Sequence, residues 1–266
     1  MDAVKVKEAA CRFGADLVGI APLSRFDGVA PENDPRNIFP QGKSMIVIGR
    51  RIPRGVLRSV ENASAVNGFY SEFGLFMLED QFLAKTTYDL VIWMEAQGYE
   101  AVPMFGYDAD AAAGFPLGAP VENGKPAPNV YVNWQLAAHL CGLGETGKNG
   151  LFITPEFGTL QRIAMLITDK ELEADEVISR NVCDGCNACK DGCPLEDTLC
   201  SRCTNGAVQT GFGRFNSVDK IAAACGRACL ASLEARGLLT SKFSTPFRTD
   251  KPWKRDLLNR NIEEVK

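Results

Sequence analysis

The cysteines of this chain are gathered in one region, and that distribution constrains the fold more than any other feature. Eight of the ten cysteines lie between Cys183 and Cys229, whereas Cys11 and Cys141 stand alone in apolar surroundings. A disulfide scaffold would not leave the first two thirds of the chain almost without cysteine, so the clustering favours metal ligands. Cys11 and Cys141 are predicted to be plain core residues.

The strongest motif is CDGCNACKDGCP, which runs from Cys183 to Pro194. Its spacing, C-x₂-C-x₂-C-x₃-C-P, is that of bacterial ferredoxins, in which the fourth cysteine binds the other of two clusters. Three thiolates on a tight turn bind three irons of one cubane, and the fourth, one helical turn further on, faces away. Two more pairs follow, namely Cys200 with Cys203 and Cys225 with Cys229.

These eight cysteines predict two 4Fe–4S clusters. The first cluster is assigned to Cys183, Cys186, Cys189 and Cys229. The second cluster is assigned to Cys193, Cys200, Cys203 and Cys225. Structural zinc also binds C-x₂-C pairs, but it would need two Cys₄ sites here, because the only histidine, His139, is far from the run. Four cysteines in one short run followed by proline favour the cubane.

The composition is that of an ordinary globular protein. The chain has 266 residues, of which 45% are apolar and 23% are charged. Its formal net charge of −4 argues against attraction to nucleic acid or to an anionic membrane, so we expect neither as a partner. No apolar stretch approaches the roughly 18 residues of a membrane helix. Because the N-terminus also lacks the pattern of a signal peptide, we expect a cytoplasmic location.

Alternating helical and strand patterns predict an α+β fold, with an α/β layered domain up to about residue 175. Helices are predicted at Ala3–Phe13, Leu75–Ala96 and Trp134–Leu140, and strands at Leu17–Leu23, Ser44–Ile52, within GYEAVPMFGY and at Arg162–Thr168. The apolar face of the long helix is predicted to consist of Leu75, Leu78, Phe82, Tyr88, Val91 and Ile92. The Ala/Gly/Pro-rich stretch Asp108–Pro128 is predicted to be a long loop that is functional or mobile.

Three parts of the chain are therefore expected. Residues 1–175 form the α/β domain, residues 176–235 form a ferredoxin-like module with two clusters, and residues 236–266 form a tail that packs back on the body. The tail is too aromatic to be a disordered segment.

A glycine-rich loop, GLGETGKNG, spans Gly142 to Gly150. Its first part matches G-x-x-x-x-G-K of a phosphate-binding loop, but Asn149 stands where that motif has a Mg²⁺-binding Ser or Thr. A predicted helix rather than a strand precedes it. Nucleotide binding is therefore disfavoured, and a tight turn without a ligand is one alternative.

A wider pattern resembles a known superfamily. The chain resembles the shared core of reductive dehalogenases and epoxyqueuosine reductases in the run GLGETGKNGLFITPEFG, followed by Arg162, ITD and the ferredoxin motif. The opening GADLVGIAPLSRF also resembles that superfamily. The resemblance implies a nitroreductase-like α/β domain that holds a corrinoid such as cobalamin. It also implies a ferredoxin-like module whose two clusters feed the corrinoid with electrons from a ferredoxin- or flavodoxin-type donor.

The resemblance also suggests residues of the site. Gly142, Gly144, Lys148, Asn149 and Gly150 would contact the corrinoid, because glycines let the backbone approach a flat macrocycle. Lys148 and Asn149 would hydrogen-bond a corrin amide or phosphate, or instead cap the loop.

The resemblance further implies two catalytic candidates. Tyr107 would donate a proton, since its pKa near 10 keeps it protonated until a strong base forms; alternatively, it is an aromatic residue packed at a strand end. Arg162 would supply positive charge, or it pairs with Glu156 or Asp169. Epoxyqueuosine reductases carry an aspartate in D-[ST]-G-P before the glycine loop, whereas this chain reads NVYVNWQLAAHL. The missing acid argues against epoxyqueuosine as the substrate.

Three functions remain open at this point. The first is a corrinoid-dependent iron–sulfur reductase that acts on a small molecule. The second is an electron-transfer protein or reductive activator that reduces the cofactor of a partner, such as a corrinoid protein. The third is a flavin-dependent or cofactor-free reductase.

Overall fold

The structure is a computed structural model that describes residues 1–64, 68–105, 119–126, 130–193, 208–209 and 218–253. The α-helices are α1 (Ala3–Arg12), α2 (Arg58–Glu61), α3 (Gly68–Tyr70), α4 (Ala84–Ala96), α5 (Trp134–Leu140), α6 (Ala188–Gly192) and α7 (Ala224–Ala235). The strands are β1 (Leu17–Pro22), β2 (Ser44–Arg51), β3 (Ala101–Phe105), β4 (Glu145–Thr146), β5 (Phe152–Ile153), β6 (Gln161–Thr168), β7 (Val208–Gln209) and β8 (Val218–Asp219). Short 3₁₀ helices lie at Leu23–Phe26, Pro31–Asn33, Pro35–Asn37 and Arg54–Leu57, and π-helical turns at Ser71–Phe76 and Leu78–Leu83.

The described chain divides into two compact units, and each is discontinuous in sequence. The first unit comprises Met1–Arg50, Glu79–Gly144 and Arg162–Ser179. It contains a four-stranded sheet in the order β1-β2-β6-β3. β1 runs antiparallel to β2, and β3 runs antiparallel to β6. The structure is therefore a mixed α/β fold with antiparallel strand pairs, which confirms the predicted combination of helices and strands.

The sheet of the first unit is strongly apolar because its inner strands β2 and β6 are buried along almost their whole length. Helix α1 packs against β1 and α4, and α4 packs against β3. α1 begins at Asp2, whose carboxylate accepts a hydrogen bond from the backbone N–H of Lys5 at 2.9 Å. It ends before Gly14, which adopts a φ of +107° that a side chain would not tolerate.

Several predicted elements are confirmed. The helix at Trp134–Leu140 has the predicted bounds, and the strands β1, β2 and β6 agree within a residue or two. Helix α1 ends one residue earlier than predicted. Most of the predicted loop Asp108–Pro128 lies outside the described residues.

The apolar face predicted for the long helix is partly wrong. Leu75, Leu78 and Val91 are buried, but Phe82, Tyr88 and Ile92 are 38%, 64% and 45% exposed. The physical reason is that two π-helical turns precede α4, and each turn shifts the angular position of the residues beyond it. Residues selected by assuming 3.6 residues per turn over the whole segment therefore do not all lie on one side of the helix.

The prediction that Cys11 is a core residue is also wrong, because its side chain is exposed. The buried face of α1 is formed by Ala3, Val6, Ala9 and Ala10, and Cys11 lies beyond that face. Cys141, in contrast, is buried as predicted, and burial raises the pKa of its thiol well above the usual range.

The second unit comprises Arg51–Leu78, Glu145–Gln161 and Arg180–Lys266. Its described core packs Leu230 and Leu233 of α7 with Ile153, Leu160 and Phe247. β4 and β5 form one antiparallel pair, and β7 and β8 form another. The ferredoxin-like character of this unit and the division at residues 175 and 235 stay predictions.

The last described residues of the second unit form hydrogen bonds with its first segment. The guanidinium of Arg58 donates to the carbonyl oxygen of Phe247, which is fully buried. The indole N–H of Trp253 donates to the carbonyl oxygen of Val60 at 3.0 Å. None of the helices in the described ranges is both long and apolar enough to cross a bilayer.

Candidate metal centre

Six of the eight predicted cluster ligands fall in described parts of the second unit. Cys183 and Cys186 lie in the loop before α6, Cys189 lies within α6, and Cys193 follows it directly. Cys225 and Cys229 lie on α7. The two remaining ligands, Cys200 and Cys203, lie outside the described residues.

Helices α6 and α7 pack closely, and a glycine makes that approach possible. A Cβ placed on Gly192 would lie 2.6 Å from the Cβ of Ala228, which is closer than real carbon atoms approach. Because Gly192 precedes Cys193 and Ala228 precedes Cys229, this contact holds the end of the cysteine run beside the second cysteine-bearing helix. Residues far apart in sequence are thereby brought into one site.

The structure gathers the thiols of the four cysteines assigned to the first cluster. The pKa of the Cys229 thiol is raised to about 12, chiefly by burial, and then by the nearby thiols of Cys189, Cys183 and Cys186. Cys225 contributes in the same direction. Burial, together with Cys183 and Cys186, also raises the pKa of Cys189. Contacts support the same grouping, since Cys183 and Cys229 pack against one hydrophobic core and Cys186 contacts Ser232 of α7, the helix that carries Cys229.

Two of these sulfur atoms have hydrogen-bond partners. The backbone N–H of Lys148 donates to Sγ of Cys183 at 3.4 Å. The hydroxyl of Ser232 lies 3.5 Å from Sγ of Cys186. That contact is the chief cause of a lowered pKa at Cys186, and the backbone N–H of Ala188 is the next. Donors of this kind stabilise a thiolate, which is the form that binds metal.

The loop that carries Cys183 is ordered by a carboxylate from β4. The side chain of Glu145 accepts hydrogen bonds from the backbone N–H groups of Arg180, Asn181 and Val182 at 2.8, 3.0 and 2.7 Å. These three bonds fix the backbone that leads directly into the cysteine run. Gly147 stands nearby, and a Cβ there would lie only 2.8 Å from Cδ1 of Ile153.

The donor set fits a cubane. Across the described ranges, no three His, Cys, Asp or Glu side chains are placed to hold a single metal ion. A 4Fe–4S cluster is bound differently, because each thiolate binds its own iron and the four sulfurs surround the cluster. The observation in favour of the fit is that Cys183 and Cys229 pack against one core, with a hydrogen-bonding group at the sulfurs of Cys183 and Cys186.

The glycine loop is divided between the two units. Gly142 and Gly144 belong to the first unit, and the residues from Glu145 onward belong to the second. Gly142 has a φ of +78°, and a Cβ there would lie 2.3 Å from the carbonyl oxygen of Glu176, so its glycine is needed for packing. The carbonyl oxygen of Gly144 lies 2.8 Å from Nδ1 of His139.

Lys148 and Asn149 make local contacts within the second unit. Nζ of Lys148 donates to the carbonyl oxygen of Cys186 at 3.3 Å. Oδ1 of Asn149 accepts from the backbone N–H of Leu151 at 3.2 Å, which caps the loop. Nδ2 of Asn149 is buried and lacks a partner among the described residues. Gly150 is exposed, and no atom lies within 4 Å of the position of a Cβ there.

The two predicted catalytic residues are not brought together in the described structure. Tyr107 lies outside the described residues. Arg162 is only 13% exposed and forms an ion pair with Glu79 at 3.5 Å, a partner that sequence reasoning did not name. The roles of Tyr107 and Arg162 stay predictions.

Sequence reasoning also missed Ser232 and Glu145. Ser232 lies three residues after Cys229 on α7, so the i,i+3 spacing on a helix was a usable signal. Glu145 carried no comparable signal, because its partners are 35 to 37 residues away in sequence.

Comparison with known proteins finds relatives for part of the chain, while no family model matches. A segment of 117 residues, 43% of this chain, is 32% identical to tetrachloroethene reductive dehalogenase of Dehalobacter restrictus and covers 17% of that protein. A segment of 109 residues, 41% of this chain, is 33% identical to epoxyqueuosine reductase of Lactococcus garvieae and covers 25% of it. The matched segments thus span a quarter or less of these curated relatives.

A solved structure shows the same fold over most of the chain. Epoxyqueuosine reductase from Streptococcus thermophilus matches 86% of this chain and 56% of that chain, with 17% sequence identity and a TM-score of 0.50. At this identity the likeness concerns the fold alone.

The expectation that nucleic acid is excluded as a partner is wrong. Another solved epoxyqueuosine reductase is described with an epoxyqueuosine-modified tRNA-Tyr stem loop; it matches 72% of this chain and 51% of that chain, at 17% identity and a TM-score of 0.47. A relative of this chain, from Lactococcus garvieae, carries the same enzyme name. A net charge of −4 could not exclude nucleic acid, because it averages over the chain and carries no information on the local surface.

Proposed function

Because the chain is a divergent member of the superfamily of reductive dehalogenases and epoxyqueuosine reductases, we propose that it is an iron–sulfur reductase. It holds two 4Fe–4S clusters and delivers low-potential electrons to a corrinoid and then to a small-molecule substrate. The observation that carries the proposal is the packing of the ferredoxin run beside α7, where Cys183 and Cys229 pack against one core and Cys186 contacts Ser232.

Cys183, Cys186, Cys189 and Cys229 would hold the first cluster. Three come from the loop and helix of the ferredoxin motif, and Cys229 reaches them from α7. A bound cubane supplies one-electron chemistry. The chain contributes the thiolates and the hydrogen bonds from Lys148 and Ser232 to the sulfurs.

The second cluster would be held by Cys193, Cys200, Cys203 and Cys225. Cys193 directly follows α6, and Cys225 lies one helical turn before Cys229. Cys225 and Cys229 are four residues apart on α7 and so share one face of the helix, which supports adjacent clusters.

A corrinoid is supported by the glycine loop. Nδ2 of Asn149 is a buried donor whose partner is absent from the described residues, and an acceptor such as a corrin amide carbonyl would satisfy it. The open space beside Gly150 would admit such a group. When bound, the corrinoid supplies a strongly reducing cobalt centre, and this chain would orient it through Lys148, Asn149 and Gly150.

Anaerobic titration of the reconstituted protein with cobalamin tests the corrinoid assignment. We expect a base-off spectrum at one corrinoid per chain. The variant N149A removes the orphaned donor and should bind several-fold more weakly, by about 1 kcal/mol for one hydrogen bond. As a control, K7A changes a lysine of the first unit that pairs with Asp175 and should bind as the wild type does. Absence of binding at high micromolar cobalamin would refute the corrinoid assignment.

An electron-transfer protein or reductive activator is the second candidate, and one observation favours it. The positive charge of Arg162, which a substrate site would use, is paired with Glu79. In this alternative a ferredoxin- or flavodoxin-type donor reduces the clusters, and a partner protein carries the final cofactor. Reconstituted protein that holds its clusters but binds no cobalamin would support this candidate over the first.

A further inference from the structure

We infer that Ser232 raises the reduction potential of the cluster assigned to Cys183, Cys186, Cys189 and Cys229 by donating a hydrogen bond to the sulfur of Cys186. This inference rests on the proposed function, since it requires the cluster. It assigns to Ser232, a residue outside the cysteine motif, an influence on the reduction potential of the cluster.

Helix α7 positions the hydroxyl. Cys229 and Ser232 are three residues apart on α7, so they share one face of the helix. One helix therefore supplies both a thiolate to the cluster and a donor to a different thiolate. The distance from Oγ of Ser232 to Sγ of Cys186 is 3.5 Å, which is within the range of hydrogen bonds to sulfur.

The direction of this hydrogen bond follows from the chemistry of the ligand. Either atom of the pair can donate while Cys186 is a free thiol. Once Cys186 binds iron it is a thiolate without a proton. The hydroxyl of Ser232 is then the donor and the sulfur is the acceptor.

Arg236 lies just past the C-terminus of α7, and its guanidinium donates to the carbonyl oxygen of Val182 at 2.8 Å. Ser232, within α7, places its hydroxyl 3.5 Å from the sulfur of Cys186.

The effect on the potential has a simple cause. Reduction adds negative charge to the cluster and its sulfur ligands, so a donor stabilises the reduced form more than the oxidised form. Lys148 has the same effect at Cys183, but through its backbone N–H, which most substitutions leave in place. The hydroxyl of Ser232 depends on the side chain and can be removed alone.

Redox titration of the reconstituted protein, followed by electron paramagnetic resonance, tests the inference. In S232A we expect the reduction potential of the first cluster to be lower. At a fixed solution potential, its ratio of oxidised to reduced form should rise about tenfold, which corresponds to a potential about 59 mV lower for a one-electron couple. S232T retains the hydroxyl and should titrate as the wild type does. The second cluster provides an internal reference that should not shift.

Ser244 offers a matched control. It lines the same groove of about 790 Å³ as Ser232, and within the described structure it forms no hydrogen bond with a cysteine. S244A should therefore keep the wild-type potential. If S232A and wild type have the same potential, or if S244A shifts as far as S232A, the inference is wrong.

The outcomes separate this inference from the proposed function. A wild-type protein without iron and sulfide overturns both, whereas a cluster with a potential insensitive to S232A overturns only the role of Ser232. If S232A does not retain the cluster, S232C replaces it, because a thiol is a weaker donor than a hydroxyl. A lowered potential in S232C supports the inference, and a wild-type potential contradicts it.

Discussion

At the scale of single residues, Cys229 is the ligand that joins two distant parts of the sequence into one site. It is half-buried, and burial is the first cause of its raised pKa. A thiol with a raised pKa is stable as a thiolate only when a metal or a cation compensates its charge.

Replacement of Cys229 by serine tests the wiring. We expect C229S to lose about four of about eight irons, because each 4Fe–4S cluster has four cysteine ligands. Iron and sulfide analysis after anaerobic reconstitution gives the count. The control is C11S, since Cys11 is exposed on α1 in the other unit and should leave the iron content unchanged. Full iron content in C229S would show that another residue completes the cluster.

Residue identities were predicted better than residue environments. Cys183, Cys186 and Cys189 lie in one short run whose spacing indicates cluster ligands from the sequence alone. The exposure of Cys11 was missed because it depends on which face of α1 packs. The contact between Ser232 and Cys186 joins residues 46 apart in sequence, and the pairing of Arg162 with Glu79 is also formed only by the fold.

At the scale of secondary structure elements, Glu61 connects α2 to α7 and to the last described segment. Its carboxylate pairs with Arg227 at 2.8 Å and with Arg248. The side chains of Glu61 and Arg227 are only 7% and 1% exposed. Because Arg227 lies between Cys225 and Cys229, this network supports the helix that carries both ligands.

The variant E61Q should destabilise the protein by about 3 kcal/mol, because it leaves the buried guanidinium of Arg227 without its counter-charge. Urea denaturation under anaerobic conditions measures the change. D89N is the control, since Asp89 pairs with Lys85, whose side chain is 72% exposed, and its loss should cost less than about 1 kcal/mol. Equal stability of E61Q and wild type would contradict a structural role for the network.

The pH dependence of this effect has a definite sign. Burial alone would raise the pKa of Glu61, but Arg248 and Arg227 outweigh it, and the net pKa is lowered. The contribution is therefore present above the unfolded pKa of about 4.3 and is lost as pH falls through the lower folded value. The gap between wild type and E61Q should be constant near neutral pH and close below this range. A gap that widens on acidification would contradict the assignment.

Elements with strong local patterns were predictable, and elements set by packing were not. α5 has its predicted bounds because Asn133 caps its first turn, accepting from the backbone N–H groups of Gln135 and Leu136 at 3.0 Å. The π-helical turns before α4 were not predicted. A Cβ on Gly74 would lie 2.7 Å from the ring of Tyr70, a contact that no periodicity reveals.

At the scale of the whole molecule, the fold class was predictable and the partners were not. Alternating helix and strand patterns indicated the mixed α/β fold that the antiparallel sheet shows. Net charge, in contrast, led to a wrong exclusion of nucleic acid, because it carries no information on local surface. The ligand set remains the sequence feature with the most specific chemistry.

The central claim is that the eight clustered cysteines hold two 4Fe–4S clusters, and metal and sulfide analysis tests it most directly. After anaerobic reconstitution and desalting, the protein should contain about eight irons and about eight acid-labile sulfides per chain. Stoichiometric zinc without sulfide would contradict the claim.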